Sequence, residues 1–226
     1  MTQRRRKTGP VATAPADATG ATVIDAPMTF RDEVAALKRQ RILDSAADLF
    51  YRQGFANTTL DAVAEQLGFS KALIYANFTS KPEVLAAICE RGVTATHEAV
   101  LDALDLGLDS RSTLKLLVDR YVTTVLAHQK DIAIYTREEK SLAPEDALRI
   151  GQLRRRFFMT IARFVERGNE EGVFVAPDPL MSALTLGGSV TWTVFWYREN
   201  GRLDRRQVAR EITRSAMLML GAEPQG

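Results

Sequence analysis

The stretch Val63-Ala64-Glu65-Gln66-Leu67-Gly68-Phe69-Ser70-Lys71-Ala72-Leu73-Ile74-Tyr75-Ala76-Asn77-Phe78 decides how this chain reads. Leu60, Val63, Ala64 and Leu67 recur at helical spacing, which predicts an amphipathic helix ending near Gly68. Glycine tolerates the tight turn, Phe69 plugs the corner, and Ser70 can cap the next helix through its hydroxyl. Two helices joined by about three to four residues with a glycine among them make a helix-turn-helix. In the second helix Ile74 and Phe78 lie one turn apart and face the core. Lys71, Ala72, Leu73, Tyr75 and Asn77 are left on or near the outward side.

Upstream, Ile42, Ala46, Leu49 and Phe50 form the apolar stripe of a first helix, with Asp44, Asp48 and Arg52 between them. Gly54 stops it, and Thr58 or Thr59 caps the second helix. The N-terminal end of a recognition helix is the part that reaches base edges. Lys71 can donate to guanine O6/N7 or to phosphate, and Ala72 and Leu73 can touch a thymine methyl. Tyr75 and Asn77 suit phosphate oxygens. The alternative readings are Tyr75 as mainly a core residue and Lys71 as a solvated surface charge. Ser80 opens a fourth helix whose free N–H groups suit a phosphate, and Lys81 adds a charge there. Thr59, Ser70, Lys71, Ala72, Leu73, Tyr75, Asn77 and Lys81 make up the candidate DNA-binding set.

With Ala46-x-x-Leu49-Phe50, Gly54-Phe55, Thr58-Thr59 and Ser80-Lys81 added, the segment resembles the head of the tetracycline-repressor (TetR) family of bacterial regulators. It departs from the family pattern at Leu67 and Phe69, where Ala and Val are usual. Ala72 stands for Gly, Leu73 for Thr or Ser, and Asn77 for His or Tyr. The resemblance implies a two-headed homodimer on a palindromic or near-palindromic operator in double-stranded DNA, under the control of a small effector.

Composition sets the outer bounds. A length of 226 residues with 46 % hydrophobic content suits one or two globular domains. No run of roughly eighteen apolar residues occurs, so no membrane span is expected. Arg4-Arg5-Arg6-Lys7 is followed by no apolar segment of the signal-peptide kind. A single cysteine, Cys89, excludes an intramolecular disulfide and fits a reducing cytoplasm. A net charge of +2 does not itself argue for DNA; the motif does. His97 and His128 stand in no metal-ligand spacing, and neither a phosphate-cradling glycine loop nor a nucleophile elbow occurs. An enzyme is therefore not expected, nor a metal or cofactor.

The expected architecture is all-α with about nine helices. Residues 1–30 read as a disordered Ala/Thr/Pro tail, its basic cluster either an arm for DNA or a solvated tail. Residues 31–80 read as the DNA-binding head and 81–221 as an effector-binding and dimerisation body. Asp178 and Pro179 open an eighth helix that Gly201 should close, and Asp204 caps a ninth. These last two helices are apolar on more than one face (Leu184, Leu186, Val190, Trp192, Phe195, Trp196, Met217, Leu218), which predicts a two-fold homodimer interface.

Candidate effector-pocket walls are Leu117, Tyr121 and Val125, then Tyr135, then Arg154, Phe157, Phe158 and Ile161, then Trp192 and Phe195. Each residue of these types is more often plain core than ligand wall. Gly187-Gly188 inside the eighth helix costs roughly 1 kcal/mol per glycine against Ala. That points to close helix approach, a kink, or room for a ligand. Ile134-Tyr135-x-x-Glu138-Glu139 and Trp196-Tyr197-Arg198 resemble TetR regulators of fatty-acid, steroid and other acyl-CoA catabolism. This resemblance implies a long apolar effector with an anionic head near Arg154, Arg155 or Arg156. A cationic drug met by aromatics and Glu138 or Glu139 is the competing class. An architectural DNA protein without any ligand is a third reading.

Overall fold

The computed structural model describes residues 29–222. The basic cluster Arg4–Lys7 and the rest of the expected tail before Thr29 lie outside the described residues. Nine helices of about two turns or more, and one single turn, make up the described chain. They are α1 (Phe30–Gln53), α2 (Leu60–Leu67), α3 (Lys71–Asn77), α4 (Lys81–Leu104), α5 (Ser110–Ala127), α6 (Gln129–Glu138), α7 (Pro144–Glu170), α8 (Pro179–Thr191), α9 (Thr193–Trp196) and α10 (Arg205–Met219). A 3-10 turn, Glu139–Ser141, extends α6.

Most boundaries follow from local chemistry. The side chains of Thr59, Ser70, Ser80, Asp178 and Asp204 each accept a hydrogen bond from an N–H in the first turn of the helix they cap. Gly68 adopts φ 65°, and its N–H closes α2 on the Ala64 and Glu65 carbonyls. Two ends differ from expectation. α1 begins at Phe30, three turns ahead of the Ile42 stripe, because Thr29 and Asp32 form a reciprocal capping box. α8 stops at Thr191, well short of Gly201. The Gln129 amide, from the first turn of α6, donates to the Val194 and Tyr197 carbonyls, and Arg198 donates to those of Phe195 and Tyr197. These acceptors lie in and just after α9, so the side chains close that turn at Trp196.

Two apolar cores result. One holds Ile42, Phe50, Val63, Ile74 and Phe78 of the head with Leu85 and Ile88 of α4, and reaches on to Ile134 and Tyr135 of α6 and Ile150 of α7. The other joins α5, α7, α8 and α10 around Leu117, Tyr121, Phe157, Ile161, Leu186 and Val208. α6 contributes to both, since Ile132 and Ala133 belong to the second.

A charged staple holds the same junction. Arg91 of α4 donates through Nε and Nη2 to both oxygens of Asp131, each at 2.8 Å, and through Nη1 to Asp44 of α1 at 2.7 Å. His128 Nδ1 lies 3.2 Å from Asp131 Oδ2. Gly92 permits this approach: a Cβ there would stand 3.0 Å from Asp131 Cβ and from Ile132 Cδ1.

Candidate DNA interface and effector cavity

α3 presents a small outward face. Ile74 and Phe78 are buried, while Lys71, Ala72, Tyr75 and Ala76 are exposed, Tyr75 by 51 %. Lys71 Nζ pairs with Asp61 at 2.5 Å, with both side chains at least half exposed. Such a solvent-exposed pair is weak, so it yields readily to a phosphate or base. Thr59 and Ser70 spend their side-chain oxygens on capping α2 and α3. Leu73 is half-buried at the flank. Asn77 turns its amide back to the Leu73 carbonyl at 2.8 Å.

Lys81 is placed differently from the phosphate role its position in the motif implies. Its Nζ donates to the Phe55, Ala56 and Thr58 carbonyls at 2.8, 3.3 and 2.9 Å. An ammonium has three donors. All three tie the α1–α2 loop to the start of α4, so the charge serves the head's shape.

In the body, a cavity of about 280 Å³ lies among α4, α5, α6, α7 and α8. Six of the ten expected wall residues line it: Tyr121, Val125, Tyr135, Arg154, Phe157 and Phe158. Leu117 and Ile161 are fully buried in the core and do not line it. Trp192 is turned outward, 64 % exposed, and stacks obliquely on Phe195 with ring centroids 4.9 Å apart. Neither lines the cavity. The wall also includes Val93 and Thr96 of α4, which sequence reasoning missed. Small and β-branched residues on a helix look the same whether they face a neighbour or a void.

The two glycines of α8 have separate tasks. A Cβ on Gly187 would lie 2.3 Å from Phe158 Cε1, so this glycine admits the Phe158 ring. A Cβ on Gly188 would meet nothing within 4 Å, so this glycine leaves open space at the cavity edge.

Polar groups on the wall are few. Burial pushes the Tyr121 phenol up to about 12, against a hydrogen bond with Thr191, and burial likewise pushes Tyr135 up to about 12. Both phenols are neutral donors at pH 7. Among the described residues Arg154 is the one cation on the wall and Glu139 the one carboxylate; they stand 3.6 Å apart, and each is nearly half exposed. The Tyr135 hydroxyl donates to the same Glu139 oxygen at 3.2 Å. Among the described residues no group of three or more His, Cys, Asp or Glu could hold a metal ion, and no helix is long and apolar enough to cross a membrane.

A capped helix-turn-helix with an exposed face, joined to a helical body that encloses a ligand-sized cavity, defines a DNA-binding regulator. Family models agree over both parts. One described as "Bacterial regulatory proteins, tetR family" matches residues 42–88, and one described as "Tetracyclin repressor-like, C-terminal domain" matches residues 107–220. The chain belongs to the tetR family, whose members are transcriptional regulators rather than enzymes.

Among its relatives, the HTH-type transcriptional repressor KstR2 of Rhodococcus jostii (strain RHA1) is 28 % identical over 176 residues, covering 77 % of this chain and 86 % of that one. The crystal structure of PfmR, a TetR-family regulator from Thermus thermophilus, has a TM-score of 0.73 at 26 % identity, covering 82 % of this chain and all of that one. AibR, solved in complex with isovaleryl coenzyme A and operator DNA, shares the fold with a TM-score of 0.71 at 22 % identity, over 81 % of this chain and 98 % of that one.

Proposed function

We propose that this regulator is a repressor that leaves its operator when an acyl-CoA thioester, or a related apolar acid, enters the body cavity. The observation that carries the reading is the wall itself: mostly apolar, with Arg154 as its single cation among the described residues, at a half-exposed edge. An acyl chain lies against Phe157, Phe158 and Val125, and an anionic group takes Arg154 from Glu139. A volume of about 280 Å³ is at the low end for small-molecule pockets. It accommodates an acyl group, with most of coenzyme A outside. KstR2 is named a repressor and AibR was solved with isovaleryl coenzyme A, which supports this class over a cationic effector held by Glu139.

The working form is a homodimer. Leu180, Met181, Leu184, Trp192 and Trp196 are large apolar residues left 41 %, 58 %, 43 %, 64 % and 47 % exposed at and beyond α8, and Leu218 of α10 is 53 % exposed. A second copy covers this face, and the two heads then meet successive major grooves.

Release runs through α6. Its Tyr135 lines the cavity and also belongs to the head core. Asp131, earlier in the same helix, is stapled through Arg91 to Asp44 of α1. A ligand that displaces Glu139 shifts α6 and so reorients the heads, which requires that it bind the released state better than the DNA-competent one. Calorimetry with acyl-CoA thioesters, free acids and cationic dyes tests the effector class. Thioester binding that Arg154→Ala weakens supports the reading, and binding by dyes alone refutes it.

A further inference from the structure

The first three turns of α1 are mostly exposed. Phe30–Arg41 lies ahead of the segment matched by the family's head model, which begins at Ile42. Phe30 is 80 % and Leu37 62 % exposed. A helical stretch with so little packing contributes nothing to the core, and a short helix is marginal on its own in water. The capping box at Thr29 and continuity with the anchored part of α1 hold it in place.

Its orientation is defined. Arg39 Nη1 donates to the Asn77 carbonyl at the end of α3 at 2.6 Å, and its guanidinium lies 3.9 Å from the Phe78 ring centroid. Arg31, Val34 and Lys38 therefore line one wall of a shallow groove whose other wall is Leu73 and Ala76 of α3. Arg31, Lys38 and Arg41 are exposed, and none lies within ion-pair distance of a carboxylate among the described residues. The two acids nearby do not cancel them. Asp32 is engaged in the capping box, and both Asp32 and Glu33 project a quarter turn or more from the Arg31–Lys38 stripe.

We infer that this overhang is a second DNA-contacting element, in which Arg31 and Lys38 hold backbone phosphates beside the major groove that α3 enters. The partner is DNA because the stripe is cationic and continuous with the exposed face of the recognition helix. Phosphate contacts of this kind add affinity without reading sequence. At about 1.5 Å per residue, Phe30–Arg41 extends the contact surface by roughly 17 Å.

The inference rests on the DNA-binding reading, and one experiment separates the two. A duplex enriched from a random library by the full-length chain is bound over a series of KCl concentrations by wild type, by Arg31→Ala/Lys38→Ala and by Arg31→Lys/Lys38→Arg. Each phosphate contact contributes about 0.9 to the slope of log affinity against log salt. Two positions on two heads give four contacts, so the alanine pair should lower the slope by roughly three to four. Its preference for the enriched over a scrambled duplex should be unchanged, and the charge-retaining pair should match wild type. An unchanged slope in the alanine pair overturns the inference. So does an equal loss in the charge-retaining pair, which would mark a structural role. Failure of the wild type to retain any duplex would instead defeat the DNA-binding reading.

Discussion

Arg91 grips Asp131 through two hydrogen bonds of 2.8 Å across the α4–α6 contact, with the carboxylate only 4 % exposed. Burial alone raises the pKa of this carboxyl. The hydrogen bonds from His128 and Arg91 and the Arg91 charge more than reverse this, and the net shift is downward. A carboxyl with a lowered folded pKa contributes stability above its unfolded pKa and loses it as pH falls through the folded value. Arg91→Ala should therefore cost about 3 kcal/mol at pH 7, the low end for breaking a buried pair, since His128 still reaches Asp131. Thermal melts should show the deficit shrinking as pH falls below about 4, towards the lowered folded value, because a protonated Asp131 no longer needs its partner.

The paired glycines of α8 should part company on substitution. Gly188→Ala meets open space and should raise stability by about 0.5–1 kcal/mol, the usual gain over a mid-helix glycine. Gly187→Ala must displace Phe158 and should lower the melting temperature while closing part of the cavity. Gly188→Leu should leave DNA affinity intact yet block effector binding, which calorimetry can read directly.

Lys71 and Lys81 share a charge but not a task. Lys71→Ala should cost about 1–3 kcal/mol of discrimination between the operator and a scrambled duplex, with the melting temperature nearly unchanged. Lys81→Ala removes three hydrogen bonds to loop carbonyls and should destabilise the head by about 1–3 kcal/mol. Its salt slope should stay that of the wild type. Melts and anisotropy titrations on both variants distinguish the roles.

Charges on the exposed faces of α8 and α9 should break the dimer. Met181→Glu with Trp196→Glu should give a monomer in light scattering and a large loss of operator affinity. A dimer that survives both changes would place the interface elsewhere.

Local chemistry is the legible part of this chain. Ser70, Ser80, Asp178-Pro179 and Asp204 mark helix starts because a cap needs only its own next three residues. The end of this helical run at Trp196 is not legible, since Gln129, far away in the chain, captures the Val194 and Tyr197 carbonyls. The start of α1 at Phe30 carries no apolar stripe because that part of the helix packs on almost nothing. The stripes of aromatic residues mark Tyr121 and Phe157 as inward, but the same pattern marks Leu117 and Ile161. Periodicity records which side is covered and is blind to a void beneath it. Lys81 reads as a phosphate ligand from its place in the motif, whereas the three carbonyls that hold it come from a loop upstream.

Whether the body cavity controls the heads is the central question. The decisive measurement is the fluorescence anisotropy of a labelled operator duplex bound by the full-length chain, titrated with short- and medium-chain acyl-CoA thioesters. The wild type should lose DNA affinity about 5- to 150-fold at saturation, as a coupling of about 1–3 kcal/mol requires. Arg154→Ala should respond only at much higher ligand concentration, and Gly188→Leu not at all. Thioesters that bind the protein and leave the operator complex untouched would contradict control of the heads by the cavity.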